Sequence, residues 1–268
     1  MPQSHALEDF TRETFESSLQ RRHDVYRLGA GPAVIVIHEV PGITPLVAQF
    51  ARRVAQRGMT AVLPDLFGTP GRDASVPYAL ASMAHACVSR EFTVLATKRT
   101  SPIVRYLREL AAREHRRCAG PGVGAVGMCL TGGFALAMSV DATVVAPVLS
   151  QPSLPLALTK GRRSELGLSA ADLDIVRRRA NDDLCVLGLR FSGDAKSPAE
   201  RFERLTSELG DNFKGVQIDS STNNPWGYRK GAHSVLTEDY TNADGSPTRA
   251  ALEEVLDFLA GRLGVASP

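Results

Sequence analysis

What this sequence lacks narrows its class before any motif is read. No apolar run approaches the length needed to cross a bilayer, so a membrane protein is not expected. Neither sign of charge dominates: 31 Lys and Arg stand against 29 Asp and Glu, a net charge of +2, and the chain shows no basic footprint for nucleic acid. The cysteines are four (Cys87, Cys118, Cys129, Cys185) with no C-x-x-C pair, which supports neither a disulfide framework nor a zinc ribbon. The opening stretch MPQSHALEDFTRETFE is polar and acidic, without the hydrophobic centre of a secretory signal; a cytoplasmic setting with reduced thiols is expected. Linkers rich in Gly, Ser or Pro are missing, as are charge blocks and internal repeats, so residues 1–268 are read as one domain. His38-Glu39 begins like H-E-x-x-H, but position 42 is glycine, and no metal or other cofactor is expected.

What the chain does have is an alternation of buried strands and amphipathic helices. Phe10–Leu28 reads as edge strands, and Ala33–His38 (AVIVIH) as a β-branched run of the kind buried on both faces of a parallel sheet. A helix with apolar residues at helical spacing follows over Leu46–Arg57, then a strand over Thr60–Leu63. Further helices are expected at Ile103–Glu114, Ala170–Arg179, Pro198–Leu209 and Arg249–Leu263, and further strands at Val123–Met128, Thr143–Leu149, Leu184–Phe191 and Phe213–Ile218. The arginines at Arg177–Arg179 read as a solvated helix face. This order predicts a doubly wound, mostly parallel α/β sheet with helices on both faces and a site at the carboxyl ends of its strands. The connection Gln151–Asp183 is long enough to be a lid-like insertion.

The centre of the chain is Gly120–Met138, GPGVGAVGMCLTGGFALAM. A buried strand runs into Cys129, and small residues then open a helix. A corner of this kind holds a side chain out above the sheet edge in a strained backbone conformation, with the N–H of Leu130 available to an oxyanion. The G-x-G-x-x-G spelled by Gly122, Gly124 and Gly127 precedes or lies within the strand, whereas a dinucleotide site needs those glycines after it. A buried structural cysteine would fit the same letters, so the partners must decide.

Nucleophilic catalysis by a thiol needs a base and a carboxylate that orients it. Asp194 follows a buried strand in Ser192-Gly193-Asp194, and His233 lies in the glycine-flanked loop Lys230-Gly-Ala-His-Ser234. An ordinary turn aspartate and a solvated histidine are the bland alternatives. The order nucleophile, acid, histidine after successive strands is the one an α/β-hydrolase fold requires. Glu39 would reach the same edge from the first buried strand, and the N–H of Val40 would be the second oxyanion donor.

VIVIHEVPGI, VLPDLFG, VGMCLTGG, the SGD that ends a strand and GAHS occur in the order seen in the dienelactone hydrolase family of α/β-hydrolases, which the chain resembles from about Ala33 onward. The resemblance implies a Cys–His–Asp triad on Cys129, His233 and Asp194. It further implies that Glu39 contacts the thiol and accepts its proton when a small ester or lactone binds. The chain departs from the pattern at Thr131, where the family usually has glycine, and at Ser234–Thr237, where dienelactone-cleaving members carry an arginine that clamps the substrate carboxylate. Arg90 is the remaining candidate for that contact. A non-catalytic small-molecule binder on the same scaffold is the competing reading, because a fold alone does not fix function.

Overall fold

The computed structural model describes residues 5–88, 101–154 and 160–266. Its single sheet has eight strands: β1 (Thr11–Glu16), β2 (Arg22–Gly29), β3 (Ala33–Ile37), β4 (Thr60–Pro64), β5 (Val123–Met128), β6 (Val144–Ser150), β7 (Val186–Phe191) and β8 (Phe213–Ile218), in the spatial order β1-β2-β4-β3-β5-β6-β7-β8. β1 and β2 pair antiparallel at one edge, and β2 meets β4 antiparallel. From β4 to β8 every pairing is parallel. The β-branched runs are buried along their whole length in β3 and β4, as expected of strands covered on both faces.

The α-helices among the described residues are α1 (Pro45–Gln56), α2 (Val76–Val88), α3 (Pro102–Arg117), α4 (Gly132–Met138), α5 (Lys160–Arg163), α6 (Ala170–Asp182), α7 (Ala199–Leu209) and α8 (Pro247–Leu263). Two apolar cores result. One packs α3, α4, α6 and α7 on one face of the sheet through residues such as Leu107, Phe134, Val176 and Leu205; the other packs α1 and α8 on the opposite face through Phe50, Val54, Val255 and Leu259. No helix among the described residues is long and apolar enough to cross a membrane.

Element ends shift where capping outweighs periodicity. The Ser101 hydroxyl accepts the Ile103 N–H and starts α3 at Pro102, a favourable first position for proline, while Gly264 in left-handed conformation ends α8. Within the arginine run of α6, Arg178 is exposed, whereas Arg179 is drawn back onto the fold. Arg179 donates to the carbonyls of Asp141 (2.7 Å), Val144 (3.0 Å) and Ser139, and so caps the carboxyl end of α4, where helix carbonyls would otherwise lack donors.

The register brings the strand ends into line. Ile37 sits opposite Gly127, Met128 opposite Ser150, and Ser150 opposite Leu189. Residues that follow β3, β5, β6 and β7 therefore emerge side by side at one edge, on either side of the point where the chain reverses direction across the sheet.

Candidate active site

Cys129 stands at this edge with φ of 56°, one of the few non-glycine residues in left-handed conformation. Such a backbone costs about 1–3 kcal/mol and persists only where its surroundings enforce it. The cause is local. β5 must turn at once into the short turn Cys129–Thr131 and then into α4, and the elbow folds back so closely that a Cβ on Gly127 would lie 2.3 Å from the Thr131 carbonyl oxygen. A Cβ on Gly132 would lie 2.7 Å from Pro152 Cα, so the small residues sit where the corner has no room. Thr131, at the family's glycine position, contributes a tether instead: its hydroxyl donates to the Ile37 carbonyl (2.8 Å) and accepts the Met128 N–H (3.0 Å), binding the elbow to the end of β3.

Asp194 and His233 come together from distant loops. His233 Nδ1–H donates to Asp194 Oδ2 at 2.6 Å, with both residues buried, and the other carboxylate oxygen accepts the Lys196 N–H at 2.9 Å. Arg190, itself buried in β7, donates to the carbonyls of Ser192 (3.1 Å) and Ser197 (2.8 Å) and so brackets the aspartate loop on both sides. The histidine loop is held by Asp239, whose Oδ2 accepts the N–H groups of His233 (2.8 Å) and Ser234 (3.1 Å). The far nitrogen, Nε2, is buried and among the described residues makes no well-aligned hydrogen bond, yet Cys129 is near enough to act on it. Burial disfavours charge on His233, but Cys129 and Asp194 together outweigh burial and push its pKa up to about 10. A loose nucleophile–base contact is usual in an unliganded site.

The sulfur's hydrogen bond is to a different group: Cys129 Sγ lies 3.3 Å from Ser153 Oγ. The contact implied between Glu39 and the thiol is not among the hydrogen bonds of Glu39. Its buried carboxylate accepts from Ser234 Oγ (2.8 Å), Gln151 Nε2 (3.1 Å) and Thr237 Oγ1, so both oxygens are engaged by neutral donors from two other loops. His38 fixes the loop before it. Its Nδ1–H donates to the Glu39 carbonyl (3.0 Å), its Nε2 accepts the Leu66 N–H (3.2 Å), and complete burial pushes its pKa down to about 4, which keeps the ring neutral. Both ring nitrogens are thus used structurally. No cluster of His, Cys, Asp or Glu suited to a metal ion occurs among the described residues.

Val40 follows the end of β3 and Leu130 follows Cys129, so both belong to this edge. Arg90 lies outside the described residues. Sequence reading missed Ser153 and Gln151, and it noted Ser234 and Thr237 only as replacements for an arginine. The usable signal was positional: β6 neighbours β5, so whatever follows β6 must stand beside Cys129.

The sequence model described as "Dienelactone hydrolase family" matches residues 25–260. A curated protein of Escherichia coli (strain K12), "Putative hydrolase fragment YghX", is 45% identical over 49 residues, which are 17% of this chain and 42% of that protein; the match thus spans less than half of the relative's length. Among solved structures, the dienelactone hydrolase from Anabaena variabilis ATCC 29413 superposes with a TM-score of 0.59 at 15% identity, covering 96% of this chain and 100% of the other. The dienelactone hydrolase-like promiscuous phosphotriesterase P91 from metagenomic libraries gives 0.60 at 16% identity, with the same coverage. At such identities the superpositions establish the α/β-hydrolase fold.

Proposed function

Since the chain belongs to the dienelactone hydrolase family, we propose that this hydrolase opens a lactone or cleaves a small carboxylic ester by acyl transfer to Cys129, with His233 as base and Asp194 as the group that orients it. The observation that carries the reading is a cysteine in left-handed conformation on a strand–helix corner, with a buried His233–Asp194 hydrogen bond delivered to the same edge.

In this mechanism the Cys129 proton resides on His233 Nε2, and the sulfur attacks the substrate carbonyl carbon. The oxygen gains negative charge, which the N–H groups of Val40 and Leu130 stabilise. As the C–O bond breaks, His233 returns the proton to the leaving oxygen; in a lactone that oxygen stays attached to the acyl chain. Water, deprotonated by His233, then attacks the thioester carbonyl, the C–S bond breaks, and the acid leaves with the thiol restored. Asp194 holds Nδ1–H throughout, so Nε2 is always the nitrogen that exchanges protons. Glu39 joins the loop of Val40 to the loop of His233 through Ser234 and Thr237, keeping oxyanion donor and base in register. With those hydroxyl groups at the position of the family's arginine, the favoured substrates carry no carboxylate. A nucleophilic thiol works where thiols stay reduced, which favours the cytoplasm.

The test is hydrolysis of a small aryl ester and of an uncharged lactone by the wild type and by Cys129→Ala. Loss of turnover with an unchanged circular dichroism spectrum is expected. Undiminished turnover in the variant would remove Cys129 from the mechanism, and no turnover by the wild type across an ester panel would favour the non-catalytic binder.

A further inference from the structure

The chain presents Ser153 to the sulfur from a segment fixed at each residue. Gln151, in left-handed conformation with φ of 36°, donates its N–H to the Leu189 carbonyl at 2.7 Å, which anchors the segment to the neighbouring strand. Its side-chain amide reaches Glu39 at 3.1 Å. The Pro152 carbonyl accepts from Arg201 at 2.6 Å; this arginine, buried in α7, also donates to the Glu165 carbonyl at 2.8 Å. Ser153 then returns its own N–H to the Cys129 carbonyl at 2.9 Å. With its backbone tied to that of Cys129 and its side chain buried, the hydroxyl has one outlet among the described residues, the sulfur 3.3 Å away.

Resting on the reading of Cys129 as the nucleophile, we propose that Ser153 is a further catalytic residue, whose hydroxyl donates a hydrogen bond to the Cys129 thiolate and helps to hold its charge. The thiolate has no hydrogen to give, so in the ion-paired state Ser153 must be the donor. Two groups then share the sulfur's charge: the imidazolium, whose proton the pair retains well above neutrality, and a neutral hydroxyl that does not titrate. A hydrogen bond to a charged group is about twice as strong as one between neutral groups. Ser153 thus favours the ionised sulfur over the thiol, and its bond is released as negative charge moves from sulfur to the carbonyl oxygen during attack. It acts on how much thiolate is present at a given pH rather than on the reactivity of the thiolate once formed.

The experiment is the pH profile of Cys129 alkylation by iodoacetamide, with the modified cysteine assigned by peptide mass spectrometry, in the wild type, Ser153→Ala, Ser153→Thr and Ser153→Val. Threonine and valine have the same shape and differ in the hydroxyl, so this pair decides the matter even if the alanine variant does not fold. In Ser153→Ala and Ser153→Val the half-maximal rate is expected at a pH about one unit higher than in the wild type, with an unchanged plateau, and Ser153→Thr is expected to follow the wild type; one unit is the size of one charged hydrogen bond. Ester kcat/KM near pH 6 should fall about tenfold in the two variants without a hydroxyl, through kcat rather than KM. Coincident alkylation profiles for threonine and valine, or a profile moved to lower pH by removal of the hydroxyl, overturn the role of Ser153 while leaving Cys129 as nucleophile. A wild-type Cys129 that iodoacetamide does not modify at any pH overturns both.

Discussion

The 2.6 Å hydrogen bond from His233 Nδ1 to Asp194 Oδ2 joins two buried groups 39 residues apart, and against the opposing effect of burial the neighbouring Cys129 and Asp194 raise the His233 pKa to about 10. Removing the Asp194 charge while preserving its shape should therefore lower the histidine's proton affinity and release the wrong tautomer. Asp194→Asn is expected to reduce ester kcat/KM by about 100-fold or more. It should also move the alkaline titration of His233, followed by imidazole NMR, down from about 10. A variant with full activity would detach Asp194 from the chemistry.

The same shift has a stability consequence whose sign is fixed. His233 is raised from 6.5 to about 10 in the folded state, so its contribution is fully present below about pH 6.5 and is lost as pH rises through about 10. Urea unfolding between pH 7 and 10 should show the wild type losing stability that His233→Gln never had. Parallel curves for the two proteins would mean that the imidazolium is not held by its neighbours.

His38 works in the opposite direction. Burial lowers it from 6.5 to about 4, so its contribution is present above about pH 6.5 and fades as pH falls toward 4. Between pH 7.5 and 5 this group alone withdraws about 2 kcal/mol. Asp65, pushed up to about 7 chiefly by burial and also by the nearby charge of Asp24, binds a proton over part of that range and offsets the loss. The two are separated by subtraction: the destabilisation caused by His38→Gln should be about 2 kcal/mol smaller at pH 5 than at pH 7.5, measured by denaturant unfolding. An equal cost at both pH values would show that His38 can be charged in place.

The buried strands and the order of the three candidate groups were legible because each rests on local pattern. Ala33–Ile37 and Val123–Met128 are apolar at every position that two covered faces demand, and a strand running into Cys-Leu-Thr-Gly-Gly leaves a corner few other geometries allow. Ser153 and Gln151 were illegible for a physical reason: nothing in Gln-Pro-Ser marks them, and they reach the site only because β6 lies beside β5 and Gln151 adopts a left-handed backbone. The role of Thr131 ran against expectation in the same way. A family glycine suggests lack of space, but in this chain Gly127 and Gly132 take up the close approaches, which leaves Thr131 free to carry a hydroxyl to β3. Glu39 was found by its position on the edge, whereas its partners depend on the fold of the loop after His233.

Glu39 gathers three donors, and its loss is expected to leave all three without their acceptor. Ser234 Oγ, Thr237 Oγ1 and Gln151 Nε2 are enclosed with it, and each orphaned buried donor costs about 1–3 kcal/mol. Water entering the space left by the side chain recovers part of this, so Glu39→Ala should destabilise by about 2–4 kcal/mol in thermal or urea unfolding, with Glu39→Gln in between because one acceptor oxygen remains. A change below about 0.5 kcal/mol would show that the three donors are satisfied elsewhere.

Gly193 decides whether the aspartate and histidine loops can meet. A Cβ there would lie 2.4 Å from the Lys230 carbonyl oxygen and 3.0 Å from Ser220 Oγ, and the first of these atoms belongs to the backbone that carries His233. The serine hydroxyl can rotate away, at the cost of the 2.9 Å bond it accepts from the Gly193 N–H; the carbonyl can yield only if the loop moves. Gly193→Ala should therefore cost about 1–3 kcal/mol of stability through overpacking. Its effect on catalysis should exceed what that loss implies, because separating the loops lengthens the His233–Asp194 bond, and a displacement of about 1 Å in a catalytic group can reduce the rate about 100-fold. The separating measurement is kcat at a temperature where the variant is fully folded: a large fall in kcat with little change in KM is expected. Wild-type kcat in a folded Gly193→Ala protein would show that the triad tolerates the looser contact.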